Sequence, residues 1–374
     1  MAGLSGIRVA EFFAGIGLVR LALEEQGFRV VFANDIDPAK KALYAENMGD
    51  SGFCLGDVRQ LRGAEIPDVD LATASFPCTD LSVAGNRAGL AGKESGMFWE
   101  FARILAEMRD RKPALVLLEN VLGFATSHAG NDLRTAISAL NGLGYTCDLF
   151  EVDARHFVPQ SRPRMFIVGS LIPLESSQDW QPSPARPRWV SNFVSQNQDL
   201  KLQAYPLPVA AGSVNTLSAI VERLPHNHRR WWTSEKTESF RHSLSKIQSR
   251  RLEFLESGRR LVWATAYRRT REGKATWEIR ADGIAGCLRT ARGGSSKQAL
   301  VEAGHGNVRI RWMTPTEYAR LQGVPHMTFA SVSENAALSA LGDAVCVPVV
   351  AWIAREYIQP VLARAWDKTE AYVG

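Results

Sequence analysis

"IRVAEFFAGIGLVRLALEEQG", Ile7 to Gly27, holds a complete strand, turn and helix. Its apolar run to Phe13 reads as a buried strand, Ala14 to Gly17 as a glycine turn, and Leu18 onward as an amphipathic helix stopped by Gly27. A strand "RVVFAN" and a helix "PAKKALYAEN" opened by Pro38 follow. Further strands are predicted in "DLATAS", "ALVLLEN" and "RMFIVGS", and helices in "MFWEFARILAEMRD" and "NDLRTAISALNGLG". This alternation predicts an α/β fold with an open, mostly parallel sheet and helices on both faces. From Ser176 to Pro208 the chain turns to Ser, Gln, Pro and Arg with weak periodicity, which reads as a linker. After Gly342 the apolar helical run "VCVPVVAWIAREYI" resembles the first part again.

At 374 residues the chain exceeds what one core usually organises, so two domains are expected. The five cysteines are scattered and never in a Cys-x-x-Cys pair, which argues against a disulfide framework or a cysteine-based zinc site, and no metal site is predicted. The N-terminus lacks the pattern of a signal peptide, and no run is expected to span a membrane, so a cytoplasmic location is the simplest expectation. Net charge is +5, unevenly spread. Between His226 and Arg280 stand fourteen Lys/Arg against six Asp/Glu, with Trp231, Trp232, Trp263, Tyr267 and Trp277 among them. Such a run alone is usually a solvated helix face; with aromatics interleaved it suits nucleic acid better.

In sheets of this kind ligands sit at the carboxyl ends of the strands. Those ends carry Phe13-Ala14-Gly15-Ile16-Gly17, then Asn34-Asp35-Ile36, Gly56-Asp57-Val58, Phe76-Pro77-Cys78 and Glu119-Asn120-Val121. The turn reads Gly15-x-Gly17-x-x-Arg20 and lacks the third glycine of a dinucleotide fingerprint. A nucleoside ligand without a pyrophosphate, such as S-adenosylmethionine, fits better, with Asp35 at the ribose and Asp57 at the adenine amine. The glycine turn alone leaves both cofactors open. Cys78 follows a proline and precedes the polar Thr79, Asp80 and Ser82, as an exposed nucleophile would and a buried inert thiol need not.

Taken in order, "FFAGIG", "GDV", "FPCTDLS", "LENV", "QSRPR", "TPTEYARLQGVP" and "GDAV" resemble the bacterial-type DNA cytosine-5 methyltransferase family, over about residues 7–170 and 308–355. The resemblance implies a Rossmann-like methyltransferase domain over 1–172, a second, smaller target-recognition domain over 173–330, and a segment 331–374 returning to the first. It implies transfer of a methyl group from S-adenosylmethionine to C5 of a cytosine flipped out of double-stranded DNA. Cys78 would add to C6 and Glu119 would meet N3 and the exocyclic amine. Arg164 would reach O2 while Arg162 holds the backbone or pocket. Phe13 to Gly17, Asp35, Ile36, Asp57, Val58, Pro77, Asp343 and Val345 would line the cofactor. Ser82, Arg289, Arg292, Gly293 and Gly294 would meet DNA, the last four within the loop "RTARGGSSKQ". Such an enzyme would act as a monomer at the nucleoid, beside a cognate restriction endonuclease but not in complex with it. Three departures stand out: Thr79 where many members have Gln, Asp343 for a common Asn, and Cys287-Leu288 for Thr-Leu. An RNA cytosine-5 methyltransferase fits less well because that branch usually lacks so long an insert. A DNA-binding regulator on a methyltransferase scaffold would not need Cys78, Glu119, Asp35 and Asp57 together. A nicotinamide oxidoreductase explains neither Pro-Cys nor Glu-Asn-Val.

Overall fold

The computed structural model describes residues 6–77, 90, 92, 96–173, 180–210, 216–271, 274–290 and 297–365. They form two compact units. The larger is drawn from residues 1–153, 163–210 and 349–374, the smaller from 154–162 and 211–348. These divisions differ from the sequence-based ones at 172/173 and 330/331.

The larger unit opens with β1 (Arg8–Phe12), α1 (Leu18–Glu24), β2 (Arg29–Asp35), α2 (Pro38–Met48) and β3 (Phe53–Leu55). Then come β4 (Leu71–Ala74), α3 (Met97–Glu107), β5 (Leu115–Asn120), α4 (Gly123–Thr126), α5 (Asn131–Gly142), β6 (Thr146–Asp153), β7 (Pro163–Ser170) and α6 (Arg188–Gln196). Its sheet has the order β3-β2-β1-β4-β5-β7-β6; the first five strands are parallel, and β7 runs against both β5 and β6. Four of the five β1 residues and all four of β4 are buried, as strands covered on both faces must be. Phe12 packs edge-on against Phe101, and Phe76 against Phe98 and Phe124, in the core beside that sheet. Local chemistry sets the helix starts: Asp37 accepts from Ala39 N at 2.8 Å and Pro38 fills the first turn of α2.

Two expectations are corrected here. The stretch read as a linker contains α6, whose Val190 and Phe193 join the core, and Arg186 just before it is buried. Arg186 Nη2 lies 2.7 Å from Asp148 on β6 and donates to the Tyr205 carbonyl, so a polar-looking segment is drawn inward by one ion pair. Burial pushes the Asp148 carboxyl up to about 6 against the opposing pull of Arg186. Second, the helical run Glu334–Ala365 is long and apolar enough to cross a membrane, but 72% of its most apolar window is buried inside the protein, as in a core helix.

The smaller unit contains α7 (Leu217–Ile220), α8 (Ser234–His242), α9 (Lys246–Glu256), β8 (Val262–Arg271), β9 (Lys274–Ile279), β10 (Ala299–Gly304), β11 (Asn307–Trp312), α10 (Pro315–Gln322) and α11 (Glu334–Asp343). Helix α12 (Val347–Ile353) carries the chain back into the larger unit. The four strands form an antiparallel sheet ordered β11-β10-β8-β9. Of the tryptophans read as suited to nucleic acid, Trp277 belongs to the core and Trp232 packs against it, while Trp231 and Trp263 stack on each other, half-buried, outside that cluster. Trp232, Phe240, Trp277 and Trp312 cluster with ring centroids 5.1 to 6.0 Å apart, and Lys236 Nζ sits 4.3 Å over Trp232. The motif "TPTEYARLQG" is structural. Thr314 and Glu317 cap α10 reciprocally, Glu317 forms a fully buried ion pair with Arg311, and Gly323 ends the helix with φ 85°.

Candidate active site

The strand order turns back at β1: the chain runs out to β3, then returns to β4 on the other side. Ligands of such sheets bind outside the carboxyl ends at this switch. The β1 end is a left-handed turn, with φ 57° at Phe13, 57° at Gly15 and 78° at Gly17. A Cβ on Gly17 would lie 2.6 to 2.8 Å from the Met48 and Tyr44 side chains, so glycine is required there. In front of Gly15, by contrast, nothing lies within 4 Å of where a Cβ would stand, which leaves an open cradle.

Asp35 ends β2 and shapes that turn. Its carboxylate accepts from Gly15 N at 2.8 Å and from Asp37 N at 2.9 Å. Beside it Ile36 is 64% exposed, an apolar side chain presented at a polar rim. Asn34 braces the neighbouring strand end by donating to the Cys54 and Gly56 carbonyls at 3.0 and 2.9 Å, which sets the start of Asp57. Asp57 takes Arg59 Nε at 3.0 and 2.9 Å, and this guanidinium holds its carboxyl below the usual carboxylate range. Ile16, Val58 and, in the smaller unit, Val345 are buried. Beneath the turn lies Glu11, 1% exposed, whose carboxyl burial pushes up to about 8 despite the opposing pull of Arg20.

At the end of β5, Glu119 Oε1 lies 2.9 Å from Arg164 Nε. The antiparallel register pairs Asn120 with Met165, so Arg164 falls just past the end of β5 and meets the acid sideways. Asn120 turns the other way: its amide donates to the Phe76 carbonyl at 3.3 Å and its oxygen accepts from Val121 N. Phe76 stands two residues before Cys78 in the sequence, so β5 carries the acid and also holds the backbone that leads into Pro77. Cys78, Ser82, Arg292, Gly293 and Gly294 lie outside the described residues. Pro77 is half-buried and Arg289 exposed.

Arg162 belongs to the smaller unit and is buried. Its guanidinium donates to the carbonyls of Leu288 at 3.0 Å, Gly342 at 3.3 Å and Ala344 at 2.6 Å. Gln160 beside it donates to the Leu321 carbonyl at 2.8 Å and accepts from Leu288 N at 3.1 Å. Asp343 is exposed and accepts from the Thr290 hydroxyl. Sequence reasoning missed the bracing by Asn34, Arg59 and Gln160. The available signal for Asn34 was a buried-strand amide directly before a rim acid.

Residues 7–359 match the family model of C-5 cytosine-specific DNA methylases. The chain belongs to that family. Over 364 residues it is 30% identical to the Type II methyltransferase M.NlaX of Neisseria lactamica, covering 96% of this chain and 99% of that one. Over 166 residues it is 34% identical to M.HhaI of Haemophilus parahaemolyticus, covering 44% of this chain and 49% of the relative. Among solved structures, the Dnmt2 methyltransferase of S. pombe matches with TM-score 0.64 at 19% identity, over 95% of this chain and 99% of that one. As a member, the methylase transfers methyl groups from S-adenosylmethionine to C5 of cytosine in DNA. The open cradle at Gly15, the exposed Ile36 and the two rim acids suit that cofactor.

Proposed function

We propose that this methylase acts on a specific sequence in double-stranded DNA through a covalent Cys78 adduct on a flipped cytosine, with the rim from β1 to β5 holding both reactants. The observation that carries this reading is the end of β5. One strand tip pairs Glu119 with Arg164 at 2.9 Å and ties the Phe76 carbonyl, two residues before Cys78, through Asn120. Cytosine C5 is a poor nucleophile. Addition of the Cys78 thiolate to C6 breaks the ring's conjugation and gives C5 enamine character, which suits a thiolate because it is both accessible near neutral pH and strongly nucleophilic. Glu119 holds N3 and the exocyclic amine, and Arg164 serves O2 from the same pair, so charge building on the ring meets groups already in place. S-adenosylmethionine, when bound, supplies the electrophilic methyl group; loss of the C5 proton then restores the C5–C6 double bond and expels the Cys78 thiolate, a step that fluorine at C5 blocks. Phe13 to Gly17 admit it by backbone, Asp35 holds its ribose, Asp57 its adenine amine, and Ile36, Val58 and Pro77 the apolar edges. Arg162 and Gln160 act on backbone carbonyls, which makes them positioning residues.

Base recognition is assigned to Arg289 and the segment after it, with phosphate contacts supplying most of the affinity. The Type II designation of the relatives supports a restriction–modification setting, with a separate endonuclease, in the cytoplasm of a bacterium. The enzyme is taken to work as a monomer.

Trapping tests the mechanism. A duplex bearing 5-fluorocytosine should hold the enzyme covalently after methyl transfer, through denaturing electrophoresis, only with cofactor present. Cys78→Ser should abolish the band. A Cys78→Ser enzyme that methylates at the parent rate would falsify the mechanism. Bisulfite sequencing of DNA from expressing cells identifies the target site.

A further inference from the structure

Inside the smaller unit, Leu288 to Thr290 and the last turn of α11 with its cap, Ala344, are joined unusually tightly. A Cβ on Gly342 would come within 2.3 Å of the carbonyl carbon and oxygen of Arg289 and 2.7 Å of Thr290 N, so the two backbones touch only because residue 342 is glycine. Arg162 bridges the same pair of segments through the Leu288, Gly342 and Ala344 carbonyls. Gln322 adds a second grip, donating to the Leu341 and Ala344 carbonyls at 2.6 and 3.1 Å. These contacts hold main chain. They hold the Leu288 carbonyl and bring the Arg289 carbonyl against Gly342, and none of them reaches the Thr290 side chain. The bond from the Thr290 hydroxyl to the Asp343 carboxylate joins two side chains instead, and it sits one residue beyond the main-chain grip. It is charge-assisted, which an Asn at 343 would not provide.

We propose that Asp343 is a positioning residue for DNA: by holding Thr290 it sets the aim of the exposed Arg289 beside it. This gives the aspartate a role that does not depend on the cofactor's methionine end. It rests on the reading of Arg289 onward as the recognition segment. A hydrogen bond to a charged group that is lost from an ordered junction weakens binding by roughly tenfold.

The test is a double-mutant cycle in steady-state methylation of the duplex found by bisulfite sequencing. Thr290→Val and Asp343→Ala should each raise the KM for DNA about tenfold, with a smaller effect on kcat. The double variant should be no worse than either single one, because both remove the same bond. Thr290→Ser should restore the parent KM, and Asp343→Asn should recover much of what Asp343→Ala loses. Calorimetry should show the parent S-adenosylmethionine affinity in Thr290→Val. Additive losses, or a Thr290→Val enzyme with the parent KM, overturn the proposal. A coupled loss confined to melting temperature, with KM unchanged, also overturns it. Arg289→Ala in the same assay tests the recognition reading separately: an unchanged KM there removes that reading, whatever the pair does.

Discussion

Asp35 has engaged both carboxylate oxygens with backbone N–H groups before any ligand is considered. That double use separates it from Asp57, which takes the backbone N–H and the guanidinium of a single residue, Arg59, and braces no glycine turn. Loss of Asp35 therefore loosens the glycine turn as well as removing the proposed ribose acceptor. Asp35→Ala should weaken S-adenosylmethionine binding more than Asp57→Ala, whose loss should be roughly ten- to a hundredfold, as expected for one charge-assisted contact. Asp35→Asn should behave like Asp35→Ala, because one amide NH2 would then face a backbone N–H. Calorimetry decides; a parent-like affinity in Asp35→Asn would show that the turn does not depend on the carboxylate. The two acids were legible in the sequence because strand ends announce themselves by the residues that stop them. Arg59 was not, since nothing in "GDVRQ" distinguishes a solvated arginine from one folded back two residues. Arg162 was legible as a holder of backbone or pocket, but which carbonyls it holds depends on residues 126 to 182 positions away.

Strands and helices with an apolar period were readable; those whose polar groups are paired were not. β1, β4, β5 and β7, and helices α1, α2, α3 and α5, fall where alternation and caps place them. β6 escaped because "TCDLFEVD" carries three acids, and only Arg186, 38 residues later, makes Asp148 tolerable inside. The same pairing hid α6 in an apparent linker. β3 is three residues long, too short for any period to show. At the element scale β5 matters most, since its final residue holds the Phe76 carbonyl, two residues before Cys78 in the sequence. Asn120→Ala should lower single-turnover methylation about tenfold by freeing the Phe76 carbonyl, at the cost of one modest hydrogen bond. Asn120→Asp should do more harm, because a carboxylate would face that carbonyl oxygen. Rapid quench, with thermal melts as control, checks both; equal rates in Asn120→Asp and the parent enzyme would separate the strand tip from catalysis.

For the whole molecule, stability should fall as pH rises toward 8. Glu11, facing Arg20, Asp35 and Glu24, ionises near 8 when folded and near 4.5 when unfolded, so the folded chain keeps a proton that the unfolded chain has released. Its contribution is full below pH 4.5 and is lost through the folded value, at up to about 1.4 kcal/mol per pH unit. Asp148, raised only to about 6, has finished most of its titration by pH 7. Urea midpoints at pH 6.5 and 8 should therefore diverge in the parent and converge in Glu11→Gln; parallel behaviour would show that Glu11 is already charged. The division into units was only partly readable, because nine residues of the smaller unit, 154–162, are enclosed in the sequence of the larger. That excursion bears on how the chain is made. On a ribosome Gln160 and Arg162 emerge long before the carbonyls of Leu288, Leu321, Gly342 and Ala344 that they will hold. Contacts that close such long loops form late and slowly. The smaller unit thus cannot mature as its own residues are synthesised, and a fragment of 211–348 expressed alone would lack Gln160 and Arg162, leaving Ala344 only the bond from Gln322.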